Sequence, residues 1–133
     1  MIKKIEHIGI AVENIAASLK IYESLLGTKC YKEEIVTSEA VKTAFLMVGD
    51  SKIELLEATD PDSPIAKFLE KGKLGFHHIA FEVDDLTAEL IRLKKEGFVL
   101  IHEVPKDGAD NKRIAFLHPK STTGMLIELC QEK

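Results

Sequence analysis

Two histidines and two glutamates occupy matching places along this chain. His7 opens the run His7-Ile8-Gly9-Ile10-Ala11-Val12-Glu13-Asn14-Ile15-Ala16-Ala17-Ser18-Leu19, which lies without a gap over His78-Ile79-Ala80-Phe81-Glu82-Val83-Asp84-Asp85-Leu86-Thr87-Ala88-Glu89-Leu90. Each copy runs on to a glycine, Gly27 or Gly97. Each then closes on a run with a central glutamate, Lys52-Ile53-Glu54-Leu55-Leu56 or Leu126-Ile127-Glu128-Leu129-Cys130. Two neutral imidazoles and two carboxylates form a nitrogen and oxygen donor set suited to a borderline divalent cation, and four such donors leave two positions of an octahedron open. A positioned carboxylate can also exchange a proton with a bound molecule. Any one of the four alone would read as an ordinary structural residue; their recurrence in a duplicated unit singles them out.

The elements that must position these groups follow from the hydrophobic spacing. Each opening run alternates with period two, so Ile8, Ile10 and Val12 share one strand face, as do Ile79, Phe81 and Val83. His7 then points with Gly9 and Ala11, and His78 with Ala80 and Glu82, to the other face. Glu54 and Glu128 likewise oppose their apolar neighbours. Helical spacing follows in Ile15, Leu19, Tyr22 and Leu26 and in Leu86, Leu90 and Leu93, with N-caps expected at Asn14 and Asp85 and stops at Gly27 and Gly97. Strand-like runs come next: Cys30 to Val36, Val41 to Val48 and Ile53 to Leu56, then Phe98 to Val104, Ile114 to His118 and Leu126 to Cys130. Each half reads βαβββ, giving one α+β domain over residues 1–133 with modules at about 3–58 and 75–131. The linker, 59–74, should carry a short helix capped by Ser63, begun by Pro64 and ended before Gly72. A pseudo-twofold between the modules would bring His7, Glu54, His78 and Glu128 together in a cleft on the face away from the helices.

Composition excludes several classes. The 133 residues are 45% hydrophobic and 30% charged, which fits an ordinary globular protein rather than a disordered one. Its 18 basic residues are scattered among 22 acidic ones, for a net charge of −4, so duplex nucleic acid is not an expected partner. No uncharged stretch approaches the roughly 20 residues that span a bilayer, and Glu6 and His7 interrupt any signal-like start, so the cytoplasm is the expected location. Phosphate-cradling loops and Ser or Cys nucleophile motifs are absent. Cys30 and Cys130 read as structural thiols rather than a disulfide framework. His77, His102 and His118 fall outside the repeat and are expected to be structural. The segments 104–113 and 118–124 place Lys106, Lys112, Arg113 and Lys120 in what read as flexible turns able to hold phosphate groups.

The duplicated βαβββ unit with His and Glu in its strands resembles the vicinal oxygen chelate superfamily, which includes glyoxalase I, extradiol dioxygenases and antibiotic-resistance proteins. Within it, His7-Ile8-Gly9-Ile10-Ala11-Val12, Asp62-Ser63-Pro64-Ile65-Ala66-Lys67-Phe68-Leu69, His77-His78-Ile79-Ala80-Phe81-Glu82-Val83-Asp84, and Phe116-Leu117-His118-Pro119-Lys120 followed by Gly124-Met125-Leu126-Ile127-Glu128-Leu129 resemble methylmalonyl-CoA epimerases. The resemblance implies one divalent ion, such as Co, Mn, Ni or Zn, on His7, Glu54, His78 and Glu128. It further implies a small acyl-CoA substrate, epimerisation by proton transfer through an enolate, and a homodimer. Some epimerases carry Gln where this chain has Glu54, and some carry a further catalytic Glu where it has Thr43. Thr43 cannot cycle as a base near neutral pH, so the repeat-equivalent Glu54 and Glu128 are the expected bases, with Glu39 or a water as the other candidate for the second. Lys106, Arg113 and Lys120 are the expected CoA phosphate contacts. A lactoylglutathione lyase would share fold and ligand types, although Ala11 stands where those enzymes tend to carry an Arg; a metal-free drug-binding protein is the third reading.

Overall fold

The computed structural model describes residues 1–72 and 75–133, and they divide into two compact units. The N-terminal unit is Ile8–His77; the C-terminal unit joins Met1–His7 to His78–Lys133. The first strand, β1 (Ile2–Ala11), therefore gives its start to one unit and its end to the other.

In the N-terminal unit, α1 (Ile15–Leu26) begins where the Asn14 side chain accepts a hydrogen bond from the Ala17 amide at 2.8 Å, and ends on Gly27 at φ 66°, a left-handed conformation that favours glycine. Then β2 (Lys32–Val36), β3 (Val41–Val48) and β4 (Ser51–Ala58) form an antiparallel meander, with the end of β1 beside β4. Ile15 buries against Val12, Ala44, Leu46 and Leu55, with Leu19, Tyr22 and Leu26 around them, as the helical spacing requires. The other face of the same strands also has a cover. There α2 (Pro64–Glu70), capped by the Ser63 hydroxyl on the Ile65 amide, sets Ile65 onto Ala11, Val41 and Leu56. The last two residues of the expected linker, Lys73 and Leu74, lie outside the described residues.

The C-terminal unit repeats the plan. After β5 (Gly75–Val83), Asp85 caps α3 (Leu86–Lys95) by accepting from the Ala88 amide. Leu86, Leu90 and Leu93 pack on Val83, Ala115, Leu117 and Leu129. Next come β6 (Lys106–Asp107), β7 (Lys112–Leu117) and β8 (Leu126–Glu132), in the spatial order β1, β5, β8, β7, β6. Burial would raise the Glu89 carboxyl of α3, but Arg92 at 2.6 Å and the amino terminus outweigh it and hold it below the usual range.

The expected strand from Phe98 to Val104 does not form. Only Leu100 bridges to Leu117, and the Phe116 amide is taken by the His102 side chain at 3.1 Å rather than by a main-chain carbonyl. With that donor spent, the ladder cannot extend, and Pro105 offers no amide to resume it. The expected flexible turn at 104–113 is also corrected: it is the β6–β7 hairpin. Asp110 and Asn111 make its turn at φ 56° and 59°, and Gly108 is held so close that a Cβ would stand 2.8 Å from Ile114.

Both cysteines are free thiols. Burial, with the Glu128 and Glu6 carboxylates nearby, pushes the Cys130 thiol far above its usual range, whereas Cys30 is only half-buried. A disulfide-exchange reagent at pH 8 should therefore modify Cys30 and leave Cys130 untouched until the protein unfolds. Equal reaction of both thiols in the folded protein would contradict this packing.

Candidate metal centre

Three of the four donors selected by the repeat converge within the C-terminal unit. His7 Nε2 and His78 Nε2 are 3.0 Å apart, and Glu128 Oε1 lies 3.4 Å from His78 Nε2 and 3.7 Å from His7 Nε2. Strand register explains the meeting. In the parallel pair of β5 and β8, Ala80 stands opposite Glu128, so His78, Ala80 and Glu128 share the face away from α3. The imidazoles meet edge to face at a centroid distance of 5.1 Å, and Phe116 packs against His78 at 5.9 Å. His7, His78 and Glu128 are 5%, 3% and 6% exposed.

Buried imidazoles and carboxylates are costly unless they pair with each other or with a cation. Cis donors at about 2.1 Å from one ion stand about 3.0 Å apart, which is the separation of the two imidazole nitrogens. The spacing and chemistry of these donors therefore suit a divalent ion. The His7 Nδ1 faces Glu6 Oε1 at 2.8 Å, and that carboxylate is buried too. The repeat gave no sign of Glu6, because strand neighbours normally point to opposite faces.

In the N-terminal unit Glu54 holds the matching place. It is 5% exposed and turned away from Ile53 and Leu55, which serve α1. Across the β3–β4 ladder it stands opposite Phe45, as Glu128 stands opposite Phe116 across β7–β8. Thr43 is buried on this face, its hydroxyl donating to the Glu34 carbonyl, and its register partner on β2 is Glu34. Glu34 thus shares the Glu54 face, a placement legible only from the ladder. Glu39 lies in a 3-10 turn at Thr37–Glu39.

The basic residues separate by register. Lys106 is opposite Ile114, on the Glu128 face, where it is the counterpart of Glu34. Arg113 stands opposite Gln131, whose side chain accepts from the Leu86 amide at the start of α3, so Arg113 lies on the helix face. Lys120 is exposed in the turn Pro119–Ser121. Lys112 is no turn cation: it is buried in β7 and paired with Glu132 at 2.7 Å. The three histidines expected to be structural have structural partners. His77 packs on Phe68 at 5.0 Å, His118 Nδ1 accepts from the Lys120 amide, and His102 from Phe116.

Residues 6–116 match the family model of the glyoxalase/bleomycin resistance protein/dioxygenase superfamily. The chain is 41% identical over 133 residues to an ethylmalonyl-CoA/methylmalonyl-CoA epimerase of Cereibacter sphaeroides, covering 98% of this chain and 99% of that one. It is 38% identical over 129 residues to the human mitochondrial methylmalonyl-CoA epimerase, covering 96% and 73%. A solved methylmalonyl-CoA epimerase in complex with methylmalonyl-CoA and ammonium is similar at a TM-score of 0.95 and 33% identity, covering 99% and 96%.

Replacing His102 by Ala leaves the Phe116 amide without its acceptor. Thermal or urea unfolding should show a loss of about 1–3 kcal/mol; unchanged stability would deny His102 this structural role.

Proposed function

The chain belongs to the glyoxalase/bleomycin resistance protein/dioxygenase superfamily, and from that premise we propose that it is a metal-dependent enzyme interconverting the (R) and (S) forms of methylmalonyl-CoA. The observation that carries this reading is the meeting of His7, His78 and Glu128 in a chain this similar to named epimerases. Repeat equivalence adds Glu54 as the fourth donor. By the same resemblance the enzyme works as a homodimer.

The substrate's reacting carbon lies between a thioester and a carboxylate, and the anionic carboxylate makes it a weak acid. A divalent ion on these donors would supply Lewis-acid stabilisation of the charge that moves onto oxygen as the proton leaves. Glu54 and Glu128, the equivalent glutamates of the two modules, are the proposed pair of bases, one taking the proton and the other returning one. Register favours a second candidate for that second base, Glu34, which shares the Glu54 face where the neighbouring strand carries Thr43. Lys106 and Lys120 are proposed to hold the CoA phosphates. Ala11 argues against a glutathione adduct: it is buried among Val41, Leu56 and Ile65, an apolar setting that offers no charge to such a ligand.

Purified protein should epimerise methylmalonyl-CoA and leave the methylglyoxal–glutathione hemithioacetal unchanged. A chelator should abolish the activity and Co²⁺ or Mn²⁺ restore it; full turnover by rigorously metal-free protein would contradict the reading.

Two further outcomes follow. Metal-loaded Glu54→Gln and Glu128→Gln should each lose about 10²–10⁴-fold in epimerisation while still exchanging solvent deuterium into one epimer. Normal epimerisation by Glu54→Gln together with loss in Glu34→Gln would move the second base to Glu34. Lys106→Ala and Lys120→Ala should raise KM with kcat little changed, the pattern of lost uniform binding. An unchanged KM in both lysine variants would remove them from the substrate site.

A further inference from the structure

We propose that Glu6 is a positioning residue that holds His7 with its Nδ1 protonated and its Nε2 lone pair presented to the metal site. This rests on the metal-binding reading above. Glu6 Oε1 lies 2.8 Å from His7 Nδ1, with the two side chains 3% and 6% exposed. With Glu6 as a carboxylate, which has no proton to donate, the hydrogen in this contact belongs to Nδ1. Nε2 is then the nitrogen with the free pair. It is also the atom that faces His78 Nε2 at 3.0 Å and Glu128 Oε1 at 3.7 Å.

Burying a carboxylate one residue from a strand histidine is an expensive arrangement, and both neighbours are enclosed where alternation would expose one of them. The contact offsets that cost and orients the ring. A carboxylate on the second nitrogen of a ligand histidine also makes the first a stronger donor. The repeat shows that this device belongs to one half only. The residue before His78 is His77, whose ring packs on Phe68, so His78 gains no carboxylate from its preceding neighbour. The two imidazoles are thus unequal: Glu6 sets His7 in its ligating form by this contact.

The test uses the full chain. In the metal-free wild type, long-range ¹⁵N–¹H correlation spectra should show His7 as the Nδ1–H tautomer. An Nε2–H tautomer would overturn the proposal without any variant. Glu6→Leu should release this tautomer preference and weaken Co²⁺ binding, measured by chelator competition, about 10–100-fold. Glu6→Gln, which keeps an acceptor oxygen without the charge, should retain the tautomer and fall between Glu6→Leu and wild type in affinity. Unchanged Co²⁺ affinity in both variants would overturn the proposal. His7→Ala separates the two levels. If it binds Co²⁺ as tightly as wild type, the metal reading itself fails; if it loses binding while both Glu6 variants keep it, only the role of Glu6 fails.

Discussion

Enclosing two imidazoles and a carboxylate within 4 Å of one another is the constraint on which the C-terminal unit is built. Such groups lose water on burial and must recover its interactions from one another or from a cation. Among the described residues no buried side-chain nitrogen or oxygen lacks a hydrogen-bond partner. The donors are therefore held by a complete polar network, with Glu6 behind His7 and Phe116 against His78. They stand on strands whose opposite face is fixed by Leu86, Leu90 and Leu93 of α3.

The two modules solve the same problem with the same device. A helix covers one face of a short antiparallel ladder, and a phenylalanine on the third strand backs a glutamate on the fourth, Phe45 with Glu54 and Phe116 with Glu128. The edge strands then differ where chemistry can diverge. Glu34 and Lys106 occupy equivalent places, one offering a carboxylate and the other an ammonium to the same kind of face. A duplicated scaffold can thus keep its ligands while its edges adapt to a substrate.

Much of this was legible from residue type and spacing. Asn14, Ser63 and Asp85 cap helices because short polar side chains beside an apolar periodic run have few other roles, and period-two runs marked which way His7 and His78 point. The failures share a cause, since each turns on a cross-strand partner that spacing cannot show. Phe98 to Val104 has strand composition, yet the His102 side chain competes for the Phe116 amide. Lys112 reads as a turn cation in sequence, yet register buries it against Glu132. Glu6 is a separate case: its partner is its chain neighbour His7, and it broke the alternation rule itself.

The most direct test of the account is an anomalous-diffraction map from crystals of the protein grown with Co²⁺. One ion bonded to His7 Nε2, His78 Nε2 and a Glu128 carboxylate oxygen, at about 2.0–2.2 Å from each, is the predicted result. Cobalt bound elsewhere, with the two histidines still hydrogen-bonded to each other, would contradict it.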